Sequence, residues 1–320
     1  MGFFGKLKSI KNLVTGGGAT VTLEVLEPTL AGAFQVRVQA NVGEAALNVA
    51  RVYLKVRGRE EIELTDVPTA IEDSQGIRVE ERHLHRSQET GRQEYEIDDI
   101  GTLEAGSENE WLFDVELSAG SLPTFDGELF RHGWSFYAGL DVRGNDPDSG
   151  WVGVEIAQGG EAVSSPGFDG AGHAVSGGRV NLEVEAVEPN LEGPFQLRVR
   201  AVVGSQDLEI QRVYLQIRSV EEVVVDNLPT LVEEGMEVYI EQEDLPVTIN
   251  THAEELEVDG SLQLQAHSEH EWAIDLTLPP GANPSYQGEA ARHIWQVQAC
   301  LVAIGNDACS RWTPMWVANR

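Results

Sequence analysis

Cysteine is almost absent from this chain: 320 residues hold two, Cys300 and Cys309. Lysine is nearly as rare, with four, and three of these (Lys6, Lys8 and Lys11) fall in the first eleven residues. Basic charge is scarce overall, with 22 Lys and Arg against 53 Asp and Glu, for a net charge of −31. That balance excludes the usual nucleic-acid binder, which needs a basic surface to displace counterions from phosphates. It also sets the body of the protein against an anionic membrane. The acids are scattered rather than blocked, as on a surface kept soluble by charge, although a salt-adapted source fits the same composition. No apolar run approaches the ~18 residues of a membrane span. No P-loop, strand-associated GxGxxG, GxSxG or HExxH pattern occurs. The sequence therefore predicts no enzyme, no cofactor and no metal.

What the chain does contain is itself, twice. Residues 16–57 align without a gap to 177–218, at an offset of 161. Glu27-Pro28 returns as Glu188-Pro189, and Arg51-Val52-Tyr53 as Arg212-Val213-Tyr214. Farther along, Glu110-Trp111 matches Glu271-Trp272, and Pro123 to Trp151 matches Pro284 to Trp312. Each copy is about 140 residues, long enough to bury a core without staples.

Inside each copy the apolar residues alternate with period two. Val21, Leu23 and Val25 share one face, as do Phe34, Val36, Val38 and Ala40, then Val52, Leu54 and Val56. Trp111, Phe113, Val115 and Leu117 continue the pattern, and Trp134, Phe136, Ala138, Leu140 and Val142 form a fifth run. One-sided alternation split by Gly, Pro, Asn and Asp turns marks antiparallel sheets packed on one face. The predicted class is all-β: two tandem antiparallel β-sandwich domains of arrestin-like or immunoglobulin-like form. The expected boundaries are 16–157 and 179–320, with a Gly/Ser-rich linker over 158–178. The middles of the copies, roughly 58–105 and 219–265, diverge as loops and edge strands do. Ahead of the first copy, Phe3, Leu7, Ile10 and Val14 have helical spacing. They predict a short amphipathic helix within 1–15, closed by Gly16-Gly17-Gly18.

Most of the candidate sites have a plainer structural explanation. His83 and His85 share one strand face, but the second copy has no matching histidines, so a solvated face accounts for them. His267 and His270 replace Gly106 and Asn109 and are treated the same way. Trp111/Trp272 and Trp134/Trp295 recur, as core aromatics do. Arg131-His132 and Arg292-His293 recur too, with structure as the plainer role and a partner-binding corner as the alternative. Gly144-Asn145-Asp146-Pro147-Asp148 resembles an oxygen-rich calcium loop, but the second copy loses the acid at Cys309, leaving a special-backbone turn. The cysteines face Gly139 and Asp148 of the first copy, so free thiols are expected; a cross-strand bridge around the Gly305-Asn306-Asp307 turn is the geometric alternative. The helix is the strongest functional lead. Phe3, Phe4, Lys6, Leu7, Lys8, Ile10 and Lys11 would dock it on a membrane surface or in a partner's groove, or pack it on the first domain.

The stretch Pro123-Thr124-Phe125-Asp126-Gly127 followed by Trp134-Ser135-Phe136-Tyr137-Ala138 resembles an arrestin-fold signature. Pro284-Ser285-Tyr286-Gln287-Gly288 followed by Trp295-Gln296-Val297-Gln298-Ala299 resembles it equally. The start, Met1-Gly2-Phe3-Phe4-Gly5-Lys6-Leu7, is similar to the bacterial sporulation-control (SpoOM) family. The resemblance implies two β-sandwiches joined by a linker in a non-enzymatic adaptor. The halves here are more alike than arrestin halves, and receptor binding is not carried over. The expected function is a cytoplasmic or membrane-peripheral scaffold or adaptor that binds protein through sandwich faces, edges and the helix. A homo-oligomeric structural protein and a surface or secreted binding module are the alternatives.

Overall fold

A computed structural model of the protein describes residues 18–74, 76–157, 173–175, 179–234, 237–303 and 306–318. The helix expected over residues 1–15, with Phe3, Phe4, Lys6, Leu7, Lys8, Ile10 and Lys11, lies outside them. So does the linker over 158–178, apart from residues 173–175.

Every regular element of the described residues is a strand. The first copy supplies β1 (Ala19–Leu26), β2 (Phe34–Val42), β3 (Leu47–Asp73), β4 (Gly76–Leu103), β5 (Glu108–Val115), β6 (Phe125–Asp126), β7 (Phe130–Val142) and β8 (Val152–Val154). A short β9 (His173–Val175) precedes the second copy. That copy supplies β10 (Val180–Val187), β11 (Phe195–Val203), β12 (Leu208–Glu234), β13 (Glu237–Asp259) and β14 (Leu262–Leu264). It ends with β15 (Glu269–Leu276), β16 (Tyr286–Gln287), β17 (Ala291–Ala303), β18 (Asn306–Cys309) and β19 (Thr313–Met315). The sheets run β1-β2-β5, β4-β3-β7-β6 with β8 on β7, β15-β11-β10-β9, and β13-β12-β17-β16 with β14, β18 and β19 added. All registered strand pairs are antiparallel.

The period-two residues decide which face goes inward. On β1 and β2, Val21 opposes Ala40 and Leu23 opposes Val38, and all four are buried. These side chains share one core with Val52, Leu54, Trp134 and Phe136 from β3 and β7. Phe34 meets Phe136 edge to face at 6.1 Å. Two sheets closing on a common apolar layer are sandwich-like in architecture. In the second copy Leu197, Val199 and Leu276 meet Leu215, Ile217, Trp295 and Val297 in the same manner.

The chain divides into two compact units. One comprises Met1–Glu61, Ser87–Thr124 and Arg131–Gly159. The other comprises Ile62–Arg86, Phe125–Phe130 and Gly160–Arg320, so it takes two segments from the first copy.

The divergent middles are strands, of which β4 and β13 are edge strands as expected, and the expected loops are replaced by long paired strands. β3 and β4 have 27 and 28 residues, and β12 and β13 have 27 and 23, far beyond the usual five or six. The β12–β13 ladder continues through register shifts at Val213/Tyr214, Ser219/Val220 and Val225/Leu228. Left-handed backbone recurs at matched positions: Glu27 and Glu188, Asp66 and Asn227, Gly106 and His267. Such angles are unfavourable for side chains other than Gly, Asn and Asp. Their repetition therefore marks bends that both copies need.

The expectation of free thiols is overturned. Cys300 on β17 and Cys309 on β18 are directly opposed and form a disulfide with Cα atoms 4.0 Å apart. The first copy closes the same hairpin without sulfur, through a bridge between Gly139 and Asp148. There the Tyr53 ring lies over Gly139, where a Cβ would collide with the phenol, and its hydroxyl points to Asp146 Oδ2 at 3.4 Å. Comparing the copies by residue type misled because one hairpin is closed by two different chemistries.

Candidate functional site

A polar cleft of about 350 Å³ lies in the second unit. Its walls include Glu128, Ser219, Glu221, Thr251, His252 and Trp295. β12 carries Ser219 and Glu221, β13 carries Thr251 and His252, and β17 carries Trp295. Ser219 and Glu221 continue the buried face of β12 that Ile217 and Val223 share, and the register shift beside them leaves Thr251 of β13 as the extra residue.

Glu221 is 1% exposed. Its carboxylate accepts the backbone N–H of Glu128 at 2.9 Å and of Leu129 at 2.8 Å. Burial raises its pKa, and the two N–H bonds oppose the rise. Beside it Phe125, Phe130, Tyr286 and His293 form an aromatic cluster with ring centroids 4.5 to 5.2 Å apart. Gly127 allows the approach, since a Cβ there would sit 2.5 Å from Glu221 Oε1 and 2.6 Å from Phe125. The Phe-x-Gly part of the repeated signature is thus a packing requirement at Gly127.

Of the cleft's other polar groups, two hydroxyls are committed to each other and one buried imidazole nitrogen makes no hydrogen bond. Ser219 Oγ and Thr251 Oγ1 bond each other at 2.7 Å. His252 Nε2 lies 3.5 Å from Glu254 Oε2, without hydrogen-bond geometry, and its ring centroid is 5.5 Å from that of Trp295. No hydroxyl here is paired with an imidazole that could take its proton. The groups that face solvent are acidic or neutral, so the cleft suits a hydrogen-bonding or cationic contact rather than an anion.

The two Arg-His pairs divide by residue. Both histidines are buried, at 1% exposure each. His132 Nδ1–H donates to the Pro123 carbonyl at 2.8 Å, which leaves Nε2 to accept from Thr90 Oγ1 at 2.7 Å. His293 Nδ1–H donates to the Pro284 carbonyl at 2.8 Å. Burial lowers both imidazole pKa values. The neighbouring Trp134 and Trp295 donate their indole N–H to Leu122 and Asn283 carbonyls at 2.8 and 2.9 Å. Each His and Trp therefore ties the segment before its strand back onto the strand. The arginines are at the surface, Arg131 ion-paired to Glu61 at 2.8 Å and Arg292 to Glu222 at 2.6 Å.

These acids form a recurrent signal that sequence inspection missed. Glu60-Glu61 and Glu221-Glu222 stand at the same offset of 161 inside the divergent middles. In each pair the first glutamate is buried and the second meets the arginine. A second repeated feature lies at the partly exposed surface. Arg57 stacks over Trp151 at 3.8 Å and Arg218 over Trp312 at 4.0 Å, cation–π contacts in both copies.

His83 and His85 are both exposed on β4, with His83 3.4 Å from Glu63. His267 holds the left-handed position that Gly106 holds in the first copy, and His270 bonds Ser268 Oγ at 3.1 Å. In the calcium-like loop, Asp146 accepts the Val142 N–H and Asp148 the Gly150 N–H. Among the described residues no group of three or more His, Cys, Asp or Glu is arranged to hold a metal ion. No known family model and no curated protein match the chain.

Proposed function

We propose that this protein is a non-enzymatic scaffold or adaptor, built of two tandem arrestin-like β-sandwich domains that offer sheet faces and edges to protein partners. It works in the cytoplasm, and its basic N-terminal segment tethers it to a partner or a membrane surface. One observation supports this above others. The polar residues that recur in both copies are engaged by the protein's own structure: His132 and His293 on proline carbonyls, Glu61 and Glu222 on arginines. What the two copies share is then architecture, which is what an adaptor requires. The test is affinity capture with the full chain and with residues 16–320, scored for stoichiometric partners. Partners kept by both forms assign binding to the sheets, and partners lost with the first fifteen residues assign it to the tether. Absence of a stoichiometric partner in both would overturn the proposal. Mass measurement on the same two forms separates a monomeric adaptor from a self-assembling one.

The disulfide favours a second reading, a surface or secreted binding module, because such bonds persist mainly in oxidising compartments. Acid-quenched alkylation of protein taken directly from its native source decides between them. A fully alkylated pair favours the cytoplasm, and a fully protected pair favours export.

A further inference from the structure

Two residues set the cleft of the second copy apart from the same place in the first. At the repeat offset of 161, Ser219 stands where the first copy has Gly58, and His252 where it has Gly91. Thr90, His132 and Trp134 recur as Thr251, His293 and Trp295. In the first copy a Cβ on Gly58 would lie 2.7 Å from Thr90 Oγ1 and 3.1 Å from Trp134, and one on Gly91 would lie 3.2 Å from Trp134. With glycine at both positions, Thr90 Oγ1 meets His132 Nε2 at 2.7 Å. In the second copy the matching hydroxyl, Thr251 Oγ1, bonds Ser219 Oγ at 2.7 Å instead. His293 keeps the bond from Nδ1–H to the Pro284 carbonyl, but its Nε2 has no hydrogen-bond partner among the described residues. This imidazole is 1% exposed and lines the cleft. A buried acceptor left open costs free energy until a donor reaches it.

The rest of the lining selects the donor. Glu221, Asp126 and Glu128 bring three carboxylates to the cleft, and no Lys or Arg is among the described residues that line it. The His252 and Trp295 rings, with centroids 5.5 Å apart, and the Pro279-Pro280 pair add flat, weakly polar wall. The volume of about 350 Å³ falls within the size of small-ligand sites, roughly 300–1,000 Å³. A guanidinium complements all of this: it is planar, always charged, presents a fork of N–H donors to carboxylates and stacks on rings. An ammonium is a compact, strongly hydrated charge that gains little from flat walls. We propose that the cleft binds a guanidinium group, carried by a free compound or by an arginine of a partner. His293 Nε2 and the buried Glu221 carboxylate accept from it inside the cleft, and the exposed Asp126 and Glu128 draw it in. The site belongs to the second copy alone, because Thr90 already holds the matching imidazole of the first. The inference stands independently of the adaptor role.

Calorimetric and NMR titration of the full chain at physiological salt tests it, with agmatine and a capped Gly-Arg-Gly peptide as probes. Saturable binding is expected, and its absence for both probes overturns the proposal. Tighter binding of agmatine assigns the site to a free compound, and tighter binding of the peptide to an arginine of a partner. The same peptide with citrulline or lysine in place of arginine should bind about tenfold more weakly. Equal binding of the lysine peptide would reduce the effect to attraction by the net charge of −31 and overturn the proposal. Ser219→Gly with His252→Gly gives the cleft the residues of the first copy without changing a carboxylate. Thr251 is then free to close on His293 Nε2, and binding should fall about tenfold. The ¹⁵N resonance of His293 Nε2 should move on titration in the wild type and stay still in this variant. Unchanged binding refutes the site. A surface pair keeps the test valid if the glycine variant is destabilised. Asp126→Asn with Glu128→Gln should weaken binding about fivefold, while Glu104→Gln with Glu108→Gln, the same charge change on the first copy, should stay within about twofold of wild type. Equal losses from the two pairs overturn the proposal.

Discussion

Glu221 shows how much a single side chain determines here. A buried carboxylate without partners is prohibitive, and this one is held by the N–H groups of Glu128 and Leu129. The contact needs a residue without Cβ at Gly127. We therefore expect Gly127→Ala to lose about 1–3 kcal/mol of unfolding free energy in urea titration. Gly133→Ala, where nothing lies within 4 Å of the new methyl, is expected within about 0.5 kcal/mol of wild type. Equal effects would show that the approach to Glu221 is not the constraint. His132 and His293 set a pH dependence of known sign. Burial depresses both from the ordinary value of 6.5. Their stabilising contribution is therefore complete above that value and is lost as pH falls through it toward the depressed folded value. Glu221, raised by burial, has the opposite slope: its contribution is present in acid and is lost as pH rises. His132→Asn with His293→Asn keeps an N–H for each proline carbonyl and removes the imidazole titration. The double variant should lose less Tm than wild type between about pH 7.5 and 5.5. Parallel curves would remove the histidines from the acid response.

At the scale of elements, each core strand read from period two is present, because one face of each is buried. Val36 and Val38 point inward while Gln35, Arg37 and Gln39 stay outward or at the margin. The long halves of β3 and β4 escaped detection for the reciprocal reason. In Glu80-Glu81-Arg82-His83 neither face is buried, so a paired ribbon leaves no alternation to detect. The site was legible only in part. Pro, His and Trp recur visibly, but their bonds to carbonyls nine and twelve residues away depend on a fold-back that spacing does not show. The β17–β18 hairpin was the most misleading element, and it carries a sharp prediction. Its disulfide closes a loop of about ten residues, for which chain entropy gives about 2–3 kcal/mol. Cys300→Ala with Cys309→Ala should therefore lower the unfolding free energy by up to that amount and keep the strand signal in circular dichroism. The hairpin should survive because the Ser310 N–H to Ala299 carbonyl bond, 2.7 Å, persists without sulfur, as the Ser149 to Ala138 bond does in the first copy. Loss of the fold would make the bond essential rather than auxiliary.

The whole molecule is more than two copies in series, because the second unit includes Ile62–Arg86 and Phe125–Phe130 from the first copy. Within that unit Ile62, Leu64, Val67, Phe125 and Phe130 are each 4% exposed or less. Phe125 and Phe130 stack at 4.5 Å and both reach Tyr286, at 5.2 and 5.1 Å. Backbone bonds join the same segments, since the Glu63 N–H meets the Leu129 carbonyl at 3.0 Å and the Asp126 carbonyl accepts from Asn283 at 2.8 Å. Burying five such side chains is worth roughly 8–15 kcal/mol as an upper figure. That is about the net stability of an ordinary domain. A fragment cut where the sequence repeat begins again, residues 173–320, would lack all five. It would expose Tyr286 and leave the Glu221 carboxylate without its two N–H donors. We expect this fragment to bind a hydrophobic dye, to melt well below the intact chain and to aggregate as the protein concentration rises. Adding residues 47–130 as a separate chain should recover part of the melting temperature, because that piece carries Ile62–Arg86 on the β3–β4 hairpin and Phe125–Phe130 at its end. A fragment 173–320 that melts with the intact protein would show that the second copy folds on its own residues alone.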